Sequence, residues 1–382
     1  MKVFIASASL LPGYGGPAYS ITRLASALVQ AGVEVGLWAA DRSAQSTSLS
    51  AHCGPVRRLS GSLVEALQSF GRPDVLHDSG MWLPHNHRLA IIAARNFIPR
   101  IVSTRGMLEP WARSHKKLKK SVAWRLFQKR DLQRADLLHA TAIQEARNLQ
   151  QLGLGRPVCV IPDGADLPEM CHQRINPTRG EACFRTALFV GRICPVKGLP
   201  MLIEAWGRVR PEGWRLHIAG PDEAGHRAEV ERTASRVGVS EFVSFLGPLD
   251  GEAKSAAFAD ADLFVLPSHS ESFGMVVAEA LAHGVPVLTT RGTPWGQLIK
   301  RECGWCVDAT IEGLTQGLRQ STAQEPAALR HMGARGRAWV TAEFQWETIA
   351  KRFFEIYERT WNGVRYGGQS IRSYSGCEHS RN

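Results

Sequence analysis

The sequence predicts an α/β protein with two domains, each built on a parallel β-sheet. Short apolar runs typical of buried strands alternate along the chain with longer amphipathic patterns typical of helices, which is the order that βα units produce. With 382 residues the chain is long enough for two or three domains. The alternation stops over the polar, breaker-rich residues 168–185, so we place a linker there, between domains at 1–167 and 186–345.

Each predicted strand is a short apolar run. In the first domain the strands are Val3–Ser9, Val33–Ala39, Val75–His77, Arg100–Thr104, Ala135–Ala140 and Pro157–Ile161. In the second they begin at Ala187 and continue with Arg215–Ala219, Phe242–Phe245, Leu263–Leu266 and Val285–Thr289. Residues 346–362 then form a strongly amphipathic helix, and the Gly-, Ser- and Arg-rich residues 363–382 predict a disordered tail.

The sequence predicts a cytoplasmic protein without a metal or other cofactor. Hydrophobic residues make up 44% of the chain and charged residues 21%, and no apolar run approaches the roughly 18 residues that span a bilayer. The first ten residues resemble a short signal peptide, but they lead into a Gly-rich loop as a first strand does. Cys303 and Cys306 are the only close cysteine pair, which argues against zinc, and Asp260-Ala261-Asp262 is better read as a helix-end turn than as a metal site.

A basic segment at 111–130 carries much of the net charge of +11. Read as a helix, it has an aliphatic stripe of Leu118, Val122 and Leu126. Another side combines cations with aromatic rings: Arg113, Lys116, Lys117, Lys120, Trp124 and Phe127. This mixture fits an anionic membrane surface, and the alternative is a solvated helix whose aromatic rings pack inward. No recognition motif supports nucleic acid as the partner.

The most informative motif follows the predicted strand Leu263–Leu266. Glu271 and Glu279 flank a Phe-Gly turn that opens a helix, and such a turn directs free backbone N–H groups and the positive end of the helix dipole towards a bound phosphate. Glu279 lies about one turn inside the helix, where its carboxylate can accept hydrogen bonds from vicinal sugar hydroxyls. The motif therefore predicts a nucleotide-sugar site, unless both glutamates are simply solvated. The residues of the turn that are predicted to bind the nucleotide-sugar are Phe273, Gly274, Met275 and Val276.

A second motif runs from Gly191 to Gly198, after the strand that begins at Ala187. Arg192 and Lys197 lie on this glycine-bounded loop. Arg192 can bind one phosphate through its planar fork and Lys197 another as a point charge, so the pair suits a diphosphate.

These two motifs, G-R-x-x-x-x-K-G and E-x7-E, resemble those of the retaining glycosyltransferases of family 4. The resemblance runs from Met1 to about Trp361 and implies the GT-B fold, in which two Rossmann-like domains face a cleft and the helix at 346–362 crosses back onto the first domain. It also implies a nucleotide-diphosphate sugar donor and no metal. Arg192, Lys197 and Glu271 would be catalytic, and Glu279 would bind the ribose.

The acceptor side is predicted at strand ends of the first domain, where open α/β sheets bind ligands. His77 and Asp78 end one strand, and Arg105 and Glu109 follow the next. Many family members have a histidine, often described as catalytic, at the position of Arg105, and they usually have asparagine at the position of Asp163. The Arg-Gly-Met-Leu form is similar to a branch that builds polysaccharides. His77 is the nearest substitute for the missing histidine, with a structural role as the alternative.

Gly15 and Gly16 precede the first helix and match the glycine loop of the family, which is expected to approach the donor. The stretch Gly13-x-Gly15-x-x-Ala18, with Asp41 after the second strand, also fits a dinucleotide fingerprint. A dinucleotide-binding oxidoreductase is therefore an alternative, although the glycines begin several residues after the strand.

The sequence thus predicts a hexosyltransferase that retains anomeric configuration. Its donor would be of the GDP-mannose or UDP-hexose type, and its acceptor a polyprenyl-diphosphate-linked or other saccharide in exopolysaccharide or lipopolysaccharide O-antigen assembly. We expect it to be peripheral at the inner face of the cell membrane. Glu271 is expected to position the sugar, since no carboxylate is identified for the opposite face. A catalytically silent GT-B assembly or lipid-binding subunit is the alternative from another class.

Overall fold

The computed structural model describes residues 1–46, 54–114, 117–168 and 184–365, which form two compact units. The first unit contains Met1–Gly164 and the chain from Trp346 onwards, and the second contains Ala165–Gln345. Ala165 belongs to the second unit because its N–H donates to the Phe344 carbonyl (2.8 Å). The unit boundary thus lies just before the predicted one, while most of the predicted linker lies outside the described residues.

The first unit contains a parallel sheet of seven strands in the order β3-β2-β1-β4-β5-β6-β7. Its strands are β1 (Lys2–Ser7), β2 (Glu34–Ala39), β3 (Arg57–Arg58), β4 (Val75–Ser79), β5 (Arg100–Ser103), β6 (Leu137–Ala140) and β7 (Val158–Val160). Its helices are α1 (Gly16–Gln30), α2 (Leu63–Phe70), α3 (Pro84–Asn96), α4 (Pro110–Ser114), α5 (Lys117–Ala123), α6 (Lys129–Gln133), α7 (Ile143–Gln151) and α15 (Trp346–Arg365). The predicted strands are all present, and the exposed two-residue edge strand β3 is an addition.

The second unit contains a parallel sheet of six strands in the order β10-β9-β8-β11-β12-β13. Its strands are β8 (Arg185–Val190), β9 (Trp214–Ala219), β10 (Val243–Gly247), β11 (Leu263–Leu266), β12 (Val287–Thr290) and β13 (Gly304–Val307). Its helices are α8 (Leu199–Val209), α9 (His226–Val237), α10 (Gly251–Asp260), α11 (Met275–Ala282), α12 (Gln297–Lys300), α13 (Ile311–Thr322) and α14 (Pro326–Glu343). The sequence did not predict β13, whose first residue must be glycine because a Cβ there would lie 2.1 Å from the Val287 carbonyl oxygen.

Each sheet has a point where the chain order reverses, between β1 and β4 in the first unit and between β8 and β11 in the second. Loops that leave two strands in opposite directions open a crevice at such a point, and ligands of open α/β sheets bind there. The two motifs that predict a nucleotide-sugar site follow β8 and β11. Both motifs therefore lie at the switch point of the second sheet.

The basic segment, predicted as a single helix over 111–130, contains a π-helical turn at Trp124–Gln128, between α5 and α6. Lys116, one of its predicted cations, lies outside the described residues. The C-terminal helix, predicted over 346–362, continues to Arg365. The remaining residues of the predicted tail lie outside the described part of the chain.

Candidate functional site

At the switch point of the second sheet, the loops that follow β8 and β11 are joined by main-chain contacts. The His269 N–H donates to the Val196 carbonyl (2.8 Å). Gly198 has a left-handed backbone (φ 65°), and a Cβ at this position would lie 2.3 Å from the Pro267 carbonyl oxygen. Glycine therefore permits the close approach of the loops, and it brings the two predicted motifs together.

Lys197 and Glu271, one from each motif, form an ion pair at this point. Lys197 Nζ lies 2.5 Å from Glu271 Oε1, and their side chains are 13% and 14% exposed. The Ser268 hydroxyl donates to the same carboxylate oxygen (2.7 Å). Glu271 is thus held in one orientation, as a group that positions a ligand must be.

The turn after Glu271 presents open N–H groups. Gly274 has a left-handed backbone (φ 78°) and caps α11, and no residue in the described ranges accepts a hydrogen bond from the N–H of Gly274 or Met275. An anion can occupy such a helix N-terminus. Phe273, predicted as a donor-binding residue, has its side chain in the core and only its main chain beside the site, whereas Val276 is partly buried.

Glu279 also has a lysine partner, which the sequence did not reveal. Lys254 on α10 places Nζ 2.7 Å from both carboxylate oxygens of Glu279, one turn inside α11. No motif contains Lys254, because packing of α10 beside α11 creates the contact. Each predicted glutamate of the site is therefore neutralised by one lysine.

Arg192 is the most exposed of the predicted catalytic residues. Its Nη1 lies 2.7 Å from Oε2 of Glu223 in the loop after β9, and the two side chains are 49% and 52% exposed. An ion pair this exposed contributes little stability, so an anionic ligand could replace Glu223 at low cost. Within the described residues no three His, Cys, Asp or Glu side chains are grouped as a metal site.

In the first unit, Arg105 is buried rather than open to a ligand. Its Nη1 lies 2.6 Å from Asp163 Oδ1 and 3.1 Å from Ser20 Oγ, and its Nε donates to Ser79 Oγ (3.3 Å). The residue also has a left-handed backbone (φ 50°), which is uncommon for a side chain of this size. Arg105 and Asp163, the two departures from the family pattern, are thus partners of each other.

Glu145 on α7 holds the backbone on both sides of Arg105. Its Oε1 accepts from the Thr104 hydroxyl and the Gly106 N–H, both at 2.6 Å. Burial, with Glu145 nearby, raises the pKa of Glu109, whose Oε2 accepts from Asn148 (2.5 Å). Glu109 is only partly buried, so it is the predicted acceptor-side carboxylate that remains accessible.

His77 is fully buried in a hydrogen-bonded chain whose direction can be assigned. The Ile161 carbonyl must accept from His139 Nε2 (2.8 Å), so Ser103 donates to His139 Nδ1 and accepts from His77 Nε2 (both 2.7 Å). His77 Nδ1 then accepts from Tyr357 on α15 (2.6 Å). Burial lowers the pKa of His77 well below its usual value, with His139 and Arg105 adding to the effect. This arrangement matches the structural alternative for His77.

Asp78 is also buried, and burial raises the pKa of its carboxyl to about 6, although Asn86 donates to it (2.7 Å). The structure therefore places His77, Asp78 and Arg105 in the core of the first unit, not at an acceptor-facing surface. Gly15 and Gly16 lie at the N-terminus of α1, where a Cβ at Gly15 would meet open space. Asp41, the ribose ligand of the dinucleotide alternative, instead accepts from the N–H and hydroxyl of Ser43.

Two family models match the chain, and together they cover most of it. A glycosyl transferase 4-like domain matches residues 15–164, and a model described as glycosyl transferases group 1 matches residues 185–323. A glycogen synthase of Mycobacterium tuberculosis is 32% identical over 212 residues, which are 54% of this chain and 50% of the relative. The chain thus spans about half the length of this curated relative.

Solved structures with low sequence identity share the fold over almost the whole chain. Sucrose-phosphate synthase from Thermosynechococcus elongatus has a TM-score of 0.76 at 20% identity, covering 95% of this chain and all of its own. HepE of Anabaena, solved in complex with UDP and glucose, has a TM-score of 0.73 at 21% identity, covering 94% of this chain and all of its own. The two family models and the two parallel-sheet units lead to one assignment: the chain belongs to the glycosyltransferases of the GT-B fold.

Proposed function

We propose that this chain is a retaining glycosyltransferase that moves a hexose from a nucleotide-diphosphate sugar to a saccharide acceptor. The observation that carries the proposal is the Lys197–Glu271 pair beside the open N–H groups of Gly274 and Met275. A cation and free N–H groups suit a diphosphate, and a fixed carboxylate suits sugar hydroxyls. The UDP and glucose in the HepE structure support this class of donor, of the UDP-hexose or GDP-mannose type.

In the proposed reaction, the bond between the anomeric carbon and the diphosphate oxygen breaks as negative charge grows on the diphosphate. Arg192, Lys197 and the N–H groups of the Gly274 turn neutralise that charge, so the proposal requires no metal. The acceptor oxygen bonds to the anomeric carbon from the face that the diphosphate leaves, and its proton passes to the departing diphosphate. Configuration is then retained. Glu271 positions the sugar, because Lys197 and Ser268 already hold its Oε1.

A thermal-shift screen of GDP- and UDP-sugars tests the donor assignment. One nucleotide sugar is expected to stabilise the wild-type protein, and Glu279→Ala is expected to abolish the shift because the ribose loses its acceptor. Glu312→Ala is the matched control, since Glu312 forms an exposed ion pair with Arg208 on the same unit. A shift that survives in Glu279→Ala would contradict the donor site. Binding without any sugar transfer would instead favour the silent-subunit alternative.

For the acceptor we propose a polyprenyl-diphosphate-linked saccharide in exopolysaccharide or lipopolysaccharide O-antigen assembly, met at the inner face of the cell membrane. Support comes from an aliphatic stripe on α5 and the following π turn, formed by Leu118, Val122 and Leu126. These side chains are 85%, 57% and 72% exposed. Exposed cations flank the stripe: Lys117, Lys119, Arg125 and Lys129. Apolar side chains rimmed by cations complement an anionic lipid surface.

The rings of Trp124 and Phe127 lie on the inner side of this segment, as the alternative interpretation expects. The Trp124 ring lies 6.2 Å from that of Trp82, and the Phe127 ring 5.2 Å from that of His87. Lys120 donates to the Ala112 carbonyl, so it also turns away from the stripe. Leu118, Val122 and Leu126, rather than these two rings, would therefore enter the lipid. In the described part of the chain no helix is long and apolar enough to span a membrane.

Vesicle sedimentation tests the membrane contact. The protein is expected to bind vesicles that contain phosphatidylglycerol and to be released by salt, whereas pure phosphatidylcholine vesicles should not retain it. Leu118→Ser combined with Leu126→Ser should abolish binding. Val64→Ser combined with Ile299→Ser is the matched control, because both side chains are exposed aliphatic residues outside the stripe. Equal binding by the two double variants would contradict the proposed surface.

A further inference from the structure

The end of β12 and the loop that follows it, residues 289–295, lie against the turn that carries Glu271 and Gly274. On one side of the turn the Glu271 N–H donates to the Gly292 carbonyl (2.9 Å). On the other side Trp295 Nε1 donates to the Phe273 carbonyl (2.5 Å). The turn is thus tied at two points to a loop that belongs to neither of the predicted motifs.

This loop is itself fixed against the end of β11. The Thr289 hydroxyl donates to the Leu266 carbonyl (2.9 Å), and the Thr290 hydroxyl donates to the Ser268 carbonyl. A Cβ at Gly292 would lie 2.3 Å from the His269 carbonyl oxygen, so only glycine allows this approach. The loop can therefore serve as a rigid support for the turn.

Trp295 is held equally firmly. Its side chain is buried, with its ring 5.1 Å from that of Phe273, 5.5 Å from that of Trp339 and 5.4 Å from that of Phe344. A buried ring with neighbours on several sides has little rotational freedom. Its Nε1 therefore donates from a fixed position.

The bond from Trp295 sets the direction of a neighbouring N–H group. In a trans peptide the carbonyl of one residue and the N–H of the next point in opposite directions, and no peptide among the described residues is cis. Because Trp295 binds the Phe273 carbonyl, the Gly274 N–H is turned to the other side, where no described residue accepts it. We propose that Trp295 is a positioning residue that directs the Gly274 N–H at the diphosphate of the donor. This inference rests on the proposed function of the site.

Calorimetric titration with UDP and with GDP tests the role of Trp295. Trp295→Phe removes the N–H donor, and we expect roughly ten- to hundredfold weaker binding of whichever nucleotide the wild-type protein binds. Trp339→Phe is the matched control, because it shortens a ring of the same cluster whose Nε1 has no partner among the described residues. That variant should bind the nucleotide within about twofold of the wild-type protein.

Binding of the nucleosides separates positioning from general damage. Uridine and guanosine lack the diphosphate, so saturation-transfer NMR should show the same nucleoside binding in the wild-type protein and in Trp295→Phe. If that variant does not fold, 3-benzothienylalanine at position 295 keeps the ring shape and replaces the N–H with sulfur. It should show the same loss of UDP or GDP binding.

The outcomes distinguish this inference from the function on which it rests. A wild-type protein that binds neither UDP nor GDP would overturn both. Wild-type binding that persists in Trp295→Phe, or in the benzothienylalanine protein, would overturn the role of Trp295 alone. An equal loss of nucleoside and nucleotide binding would also overturn it, because positioning of Gly274 concerns only the phosphates.

Discussion

Arg105 and Arg192 each lie just after a parallel strand, but they differ in burial and in the number of their partners. Arg105 follows β5 in the first unit, where three side chains bind its guanidinium and only 7% of the residue is exposed. Arg192 follows β8 in the second unit, where it has one half-exposed partner, Glu223. Burial and the number of partners, not the position after a strand, therefore distinguish an arginine that holds the fold from one available to a ligand.

The same contrast holds for the two strand edges as a whole. At the C-terminal edge of the first sheet, His77, Asp78 and Arg105 are each hydrogen-bonded to other side chains inside the core. At the switch point of the second sheet Lys197 and Glu271 pair in a partly exposed position, beside N–H groups without a partner in the described residues. An edge whose side chains are buried and bonded to the core holds the fold, whereas an edge with open donors can bind a ligand.

The largest expected effect is a difference in the free energy of unfolding between the alanine variants of the two arginines. Arg105→Ala leaves Asp163 buried without its counter-charge, so urea unfolding should show a loss of roughly 3–5 kcal/mol. Arg192→Ala removes an exposed ion pair and should change the free energy of unfolding by no more than about 0.5 kcal/mol. Equal losses in the two variants would break the comparison.

The variant Lys197→Ala tests the switch point of the second sheet through the rate of sugar transfer. Without this cation the departing diphosphate is less well neutralised, and kcat should fall roughly hundredfold to thousandfold, as when an oxyanion-hole donor is removed. Release of nucleoside diphosphate measures the rate. Lys300→Ala, a surface change on the same unit, should leave kcat unaltered. A raised KM for the donor with unchanged kcat would mean that Lys197 serves binding alone.

The buried residues at the edge of the first sheet can be tested by measuring stability as a function of pH. The Asp78 carboxyl has a pKa of about 6, above its usual 3.8, so its ionisation costs free energy in the folded protein. This cost is absent below pH 3.8, develops as the pH rises from 3.8 to 6, and stays at about 3 kcal/mol at higher pH. Asp78→Asn keeps the oxygen that accepts from Asn86 and should therefore be more stable than the wild-type protein at pH 8, by up to that amount, in urea unfolding.

His139 has the opposite effect on the dependence of stability on pH, because burial lowers its pKa from 6.5 to about 4. The folded protein then loses stability as the pH falls from 6.5 towards 4, where the unfolded chain binds a proton and the folded chain does not. In the wild-type protein the contribution of Asp78 partly offsets this loss. Asp78→Asn should therefore lose stability more steeply than the wild-type protein between pH 6 and 4, and parallel curves would contradict the assignment.

The smallest expected effect concerns the competitor of the diphosphate for Arg192. Glu223→Ala frees this guanidinium, so nucleotide affinity should rise, by a few-fold at most, as expected for an exposed ion pair. Competition titration against a fluorescent nucleotide can resolve such a change. A weaker affinity would show that Glu223 itself supports the ligand.

Much of the fold could be predicted from the sequence, because buried parallel strands require continuous apolar runs. The edge strands β3 and β13 were missed, since an edge strand needs no such run. Lys197 and Glu271 were found because each lies in a local motif. Lys254, Trp295 and Glu145 were missed because packing between distant segments creates their contacts. The burial of Arg105 was hidden for the same reason, although its partner Asp163 already stood out as a departure from the family pattern.

The central claim is that the switch point of the second sheet binds the donor. Calorimetric titration of UDP and GDP into three proteins tests it most directly. The wild-type protein and Arg208→Ala should bind one of these nucleotides equally well, because Arg208 forms an exposed ion pair with Glu312 and belongs to neither motif. Arg192→Ala should bind it at least tenfold more weakly, since a charge-assisted contact to the diphosphate is lost. Equal affinity in Arg192→Ala and Arg208→Ala would contradict the account.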